Sequence, residues 1–180
     1  MPLDIALLTY LLRTPETEEI TTRLPVKALL ADPANAGEIV PALGDEPPIA
    51  RNARKILCSF ESGAAPFVMA AAAASANLSV RKQSLEVFWT LLVGEDTTTI
   101  RAALTASTES LTELLRDESI PQNDLPAYVE NDFTGRIRDF TYVIVQELLD
   151  GRFDQSTFRA LDAVGRDAEI RQLRLPPATT

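Results

Sequence analysis

Apolar residues recur at three- and four-residue spacing along nearly the whole chain. No stretch alternates with period two under a β-branched or aromatic bias. That side-chain geometry predicts helices and no sheet, an all-α fold. The rule is clearest over 100–115, where Ile100, Ala103, Leu104, Leu111, Leu114 and Leu115 fall on one stripe while Arg101, Thr105, Glu109 and Glu113 lie off it. Thr14 before Pro15, with Glu16 and Glu18 following, reads as an N-cap, a first-turn proline and acidic residues at the positive end of a helix dipole. Pro25 either kinks that helix or starts another. Further breaks are expected at Asp32-Pro33, 45–48, Ser62-Gly63, Asn77, 94–96, 121–126, Asp150-Gly151 and Gly165. Between these marks the spacing predicts helices over 3–13, 15–31, 35–43, 48–61, 65–76, 79–93, 97–117, 134–150, 154–164 and 166–173. The helix over 65–76 is apolar on nearly all sides and rich in alanine, so it is expected to be sandwiched centrally, where neighbours approach closely.

Three of the helices share one spacing of core residues. The segments are Ile49-Ala50-Arg51-Asn52-Ala53-Arg54-Lys55-Ile56-Leu57, Val80-Arg81-Lys82-Gln83-Ser84-Leu85-Glu86-Val87-Phe88 and Ile137-Arg138-Asp139-Phe140-Thr141-Tyr142-Val143-Ile144-Val145. Each opens on a branched aliphatic, places a small residue (Ala53, Ser84 or Thr141) four later, and closes on an apolar pair; Phe60, Leu91 and Leu148 complete the stripes. A small side chain at the middle position lets a crossing helix approach, while the flanking aliphatics fill the space between layers.

This pattern resembles the second helix of HEAT and armadillo repeats, in which a Val-Arg pair, a small residue and an Ala-Leu pair follow a first helix and a turn carrying Asp. In the first unit Ile39-Val40-Pro41-Ala42-Leu43 ends the first helix and Asp45 lies in the turn. The resemblance implies a right-handed α-solenoid of short antiparallel helix pairs, read as a single domain: capping helices over 1–34, a repeat-like core over 35–150, capping helices over 151–174 and a flexible tail over 175–180. Val80 follows Ile49 by 31 residues, but Ile137 follows Val80 by 57, which departs from a regular array. The long helix over 97–117 and the polar loop over 118–131 account for the excess. An irregular helical bundle with accidental matches is the alternative.

Composition narrows the function classes. There is no histidine, which removes the commonest general base and nitrogen ligand together with Ser-His and Cys-His nucleophile systems. No phosphate-cradling glycine loop, nucleophile elbow or zinc ligand set is found, so no enzyme activity, metal or cofactor is expected. The single Cys58, beside Ile56, Leu57 and Phe60, reads as a buried structural thiol. Trp89, next to Phe88, reads as core filler in preference to an exposed anchor. The apolar stretch over 5–12 is broken by Thr9 and Tyr10 and has no basic flank, so neither a secretory signal nor a membrane span is read there and a cytoplasmic location is expected.

Acidic side chains number 26 against 17 basic ones, a formal charge of −9, which disfavours nucleic acid and favours a basic protein partner. Within that acidic background Arg51, Arg54, Lys55, Arg81, Lys82, Arg136 and Arg138 occupy comparable places on the matched helices, with Glu86 among them. Stacking would align them as a ladder, the candidate partner-binding stripe. The resemblance also implies that arginines there pair with turn aspartates; Asp45, Asp132 and Asp139 are available to Arg81 and Arg138. The acidic loop with Glu118, Asp124, Glu130, Asn131 and Asp132 is a second candidate surface, with a solvated linker as the plain alternative. The leading function is a non-catalytic adaptor that holds a protein segment in the groove lined by second helices. An acidic immunity or antitoxin-like protein that plugs a basic enzyme is the alternative. A HEAT-like DNA glycosylase is the enzyme alternative; the negative charge and scarce Trp and Tyr argue against it. Oligomeric state is not legible.

Overall fold

The computed structural model describes residues 9–10, 12–13, 24–120, 135–151 and 153–176, and within them every regular element is helical. In chain order these are α1 (Leu24–Leu30), α2 (Asn35–Ile39) running into a 3-10 turn (Val40–Gly44), α3 (Pro47–Leu57), α4 (Ala65–Ala74), α5 (Leu78–Leu92), α6 (Thr97–Ala106), α7 (Thr108–Leu114), α8 (Ile137–Leu149), α9 (Gln155–Ala160) and α10 (Ala163–Gln172). Of the expected helix over 3–13 only Thr9, Tyr10 and Leu12, which are helical, and Arg13 are described; the Thr14-Pro15 cap and the tail beyond 176 fall outside the described residues.

Local chemistry sets most of the boundaries. Prolines occupy the first turns of α3 and α4, where an N–H would have no helical partner. The Asn77 side chain accepts from Ser79 N at 2.9 Å and opens α5, and Asp96 accepts from Thr98 N at 2.7 Å and Thr99 N at 2.9 Å to open α6. Asp154 opens α9; bonds from the Ser156 and Thr157 side chains hold its carboxyl down to about 2.

Three expectations need correction. The single helix over 97–117 is broken at Ser107 into α6 and α7. Just past the break, Thr108 Oγ1 lies 3.1 Å from the Leu104 carbonyl and 3.0 Å from that of Pro176, which ties this point to the C-terminal segment. The last two helices divide at Leu161-Asp162 and not at Gly165, because the Asp162 carboxylate accepts from Gly165 N at 2.8 Å and so caps α10 upstream of the glycine. The alanine-rich helix buries only the face of Ala65, Val68, Met69 and Ala72; Phe67 is 42% exposed on the opposite side.

α4 packs against α2, α5, α6 and α7, and α5 against α3, α4, α8 and the 3-10 turn. α3 packs on that turn, and α8 on α6, α7 and α10. Each helix of the matched trio therefore touches the helix or turn preceding it and the next of the trio. The turn reaches α5 closely at Gly44: a Cβ there would lie 2.5 Å from Asn77 Nδ2 and 2.8 Å from Val80 Cγ2. Since Asn77 is also the α5 cap, Gly44→Ala is expected to cost about 1–2 kcal/mol in urea unfolding by displacing the cap and overpacking Val80.

Candidate partner-binding face

The repeated positions come first, because they orient everything else. Ala53, Ser84 and Thr141 are each 0% exposed, and the flanking Ile49, Val80, Ile137 and the closing pairs are buried. The small residue thus sits at the point of closest approach in each helix, leaving the charged residues between the core positions to face neighbouring helices and solvent.

A bond that the sequence reading missed recurs in the same register. Asn52 Nδ2 donates to the Leu12 carbonyl at 2.8 Å, and Gln83 Nε2 donates to the Leu43 carbonyl at 2.8 Å. Both donors directly precede the small residue, and donor and acceptor each advance by 31 residues from one bond to the next. Asn52 is buried. Each amide satisfies a carbonyl on a preceding segment, a group that burial would otherwise leave costly. The signal was present as two carboxamides in register; in the third segment Phe140 stands there, which obscured it.

The basic ladder is largely tied up internally. Arg54 on α3 forms an ion pair with Glu86 on α5, and Arg81 on α5 one with Asp117 just beyond α7. The Lys82 ammonium stands 5.0 Å from the centroid of the Phe140 ring on α8. Arg138 bonds Asp167 at 2.6 Å and Glu118 at 2.9 Å, and Arg136 bonds Asp139 at 2.8 Å and Asp167 at 2.8 Å. The expected aspartates are therefore replaced: Arg81 takes Asp117 where Asp45, Asp132 or Asp139 was anticipated, and Arg138 takes Glu118 and Asp167. Asp139 serves Arg136 and, at 3.3 Å, Arg166. Arg51 is half-buried and Lys55 exposed. Asp124, Glu130 and Asp132 lie outside the described residues, so of the acidic loop only Glu118, at its start, is placed.

Charge states follow these contacts. Burial raises the Asp117 carboxyl but is outweighed by bonds from Ser119 and Arg81, so it ionises below its ordinary range. Asp167 behaves alike: desolvation is overcome by the Arg136 bond and the charges of Arg136, Arg138 and Arg171. The bond to Asp139, against desolvation, raises Arg136 further. Cys58 is half-buried at the end of α3, less enclosed than expected; burial still raises its thiol, opposed by Arg54 and a Thr90 bond. Trp89 is only partly buried against the core, between the two roles weighed for it.

Comparison with protein-family models, with curated proteins and with solved structures returns no match. Among the described residues no single helix is long and apolar enough to cross a membrane.

Proposed function

We propose that the chain is a non-catalytic helical-repeat module, a short HEAT or armadillo-like α-solenoid, that binds a protein partner across the face made by α3, α5 and α8. The observation that carries this reading is the recurrence of the Asn52–Leu12 bond as Gln83–Leu43 one unit on, together with the fully buried trio Ala53, Ser84 and Thr141. A helix pair that hands one identical bond to the next pair is what a stacked repeat needs, since no pair can bury its apolar faces alone. On this reading Asn52→Leu and Gln83→Leu each lower stability by about 1–2 kcal/mol, by stranding a carbonyl. Measured by urea unfolding, the double variant loses the sum, because the sites lie on different units.

The partner is proposed to be basic. Arg54, Arg81, Arg136 and Arg138 are neutralised by carboxylates within the fold, the chain keeps a formal charge of −9, and among the described residues Asp45, Glu46, Glu61, Glu95 and Asp96 are exposed. The same pairing leaves little cationic surface for a DNA backbone, which weighs against the glycosylase alternative, and it favours the immunity-like blocker among binding modules. The test is photo-crosslinking in the cell of origin, with a photoreactive residue at the exposed Lys55 on α3 or at the exposed Ala70 on α4. Adducts with one defined protein from position 55 and none from position 70 are expected; adducts only from 70, or none at either, would overturn the reading.

A further inference from the structure

Where α5 and α8 end, and where α6 begins, a surface pocket of about 320 Å³ opens, walled by Trp89, Val93, Ile100, Arg101, Glu147 and Leu149. Glu147 is the feature that needs explaining. It follows Gln146 between two apolar stretches on the last turns of α8, half-buried, and its carboxylate accepts no hydrogen bond and makes no ion pair among the described residues. Burial pushes this carboxyl up, against a smaller opposing effect of the Arg159 charge. A carboxylate withdrawn from water without a partner is destabilising, and a leucine or glutamine would avoid that cost.

We propose that the Glu147 pocket receives a basic side chain, arginine or lysine, from the protein partner, whose stem lies along Trp89. This rests on the module reading above and names the chemistry its partner must present. Three independent features agree with a cation. The pocket is bounded by the C-terminal ends of two long helices, α5 and α8, which carry partial negative charge. The opposing N-terminus of α6, which would favour an anion, is already capped by the Asp96 carboxylate. The indole face and the neighbouring Val93, 50% exposed, and Leu149 supply apolar contact suited to an aliphatic stem with a charged head. Arg101 also lines the pocket and its charge opposes a cation, but it is exposed, so solvent screens it and it can pair with an acidic residue next to the anchoring base.

Trp89 is the only tryptophan and lines this pocket, so its emission is a direct probe of a ligand bound there. Full-length protein is titrated at low ionic strength with a Gly/Ser dodecapeptide carrying one central arginine, and with the same peptide carrying citrulline, the neutral isostere. The expected result is a saturable change in emission with arginine, at least about tenfold weaker with citrulline and in Glu147→Gln, and unaltered in Glu61→Gln, which changes the net charge equally at an exposed site. Glu147→Leu is expected to melt higher than the native protein while losing the response. Equal responses in native and Glu147→Gln protein, or no saturable response, would overturn the proposal. Equal affinity for free propylguanidinium would replace the peptide by a small cation, and an emission change on concentrating the protein alone, lost in Glu147→Gln, would put a second copy there. If the peptide fails while position 55 still crosslinks one protein, the pocket assignment fails alone; if both fail, so does the module.

Discussion

Replacing Phe88 with alanine is expected to remove about 3–5 kcal/mol of unfolding free energy, a large fraction of the roughly 5–15 kcal/mol a domain holds in reserve. Phe88 is 0% exposed and sits on α5, the helix that meets α3, α4, α8 and the 3-10 turn. Its ring can be removed only by opening a cavity that several elements would have to collapse into at once, and rigidly packed helices relax only in part. Leu115, half-buried beyond the end of α7, provides the contrast: solvent and the chain end can fill its place, so Leu115→Ala should cost well under half as much. Urea unfolding followed by circular dichroism measures both, with the midpoint shifting and the denaturant slope unchanged if the native fold is kept. Equal losses for the two would mean that α5 is not the helix around which the others pack.

The centrality of α5 illustrates what could be read in advance. Position and character of the matched helices followed from spacing alone, since a residue's place on a helix face is fixed by its number, and Ala53, Ser84 and Thr141 are buried because a larger side chain would hold the neighbouring helix off. The partners of the arginines did not follow. Arg81 reaches Asp117, 36 residues away, and Arg138 reaches Asp167, 29 away, and such pairings depend on how helices cross, which side-chain periodicity does not encode. Breaks failed for a different reason. Gly165 was read as a stop because glycine weakens helices, but the Asp162 carboxylate upstream supplies a bond that settles the start of α10, and the glycine is carried inside it. At Ser107 the interruption falls inside an unbroken amphipathic stripe, which carries no sign of it.

Glu147 shows a converse case. It lies with Gln146 between Val143, Ile144, Val145 and Leu148, Leu149, and a polar pair in such a run is ordinary if it faces water. Only the packing of α8 beside α5 and α6 reveals that Glu147 is half withdrawn from solvent and faces a cavity. The Glu147 carboxylate differs from Asp117, Asp139 and Asp167 in forming no ion pair among the described residues, the Arg159 charge acting on it only weakly against burial.

Those structural carboxylates carry the second large effect: Asp139→Ala is expected to cost about 3 kcal/mol. Asp139 is 1% exposed and accepts from Arg136 Nη2 at 2.8 Å, Arg136 Nε at 3.0 Å and the Arg136 backbone N–H at 3.2 Å, with Arg166 Nη1 at 3.3 Å. Deleting it leaves Arg136 with Asp167 as its one carboxylate among the described residues and Arg166 with backbone carbonyls, and opens the capping box that starts α8. Asp139→Asn, which keeps the volume and one acceptor, should lose less. The damage should spread to α10, because that helix buries no residue completely and is fastened to α8 by Asp167 on Arg136 and Arg138 and by Arg166 on Asp139. The fastening is also acid-labile. Since native Asp167 ionises below the unfolded value, its contribution is complete above about pH 4 and disappears as pH falls through the native value. Hydrogen exchange resolved by peptide should therefore find α10 losing protection in Asp139→Ala at neutral pH, and in the native protein below about pH 4, while α4 and α5 stay protected. Unchanged protection of α10 in both would mean that Ile170 and Leu173, half-buried against the core, hold it without the ions.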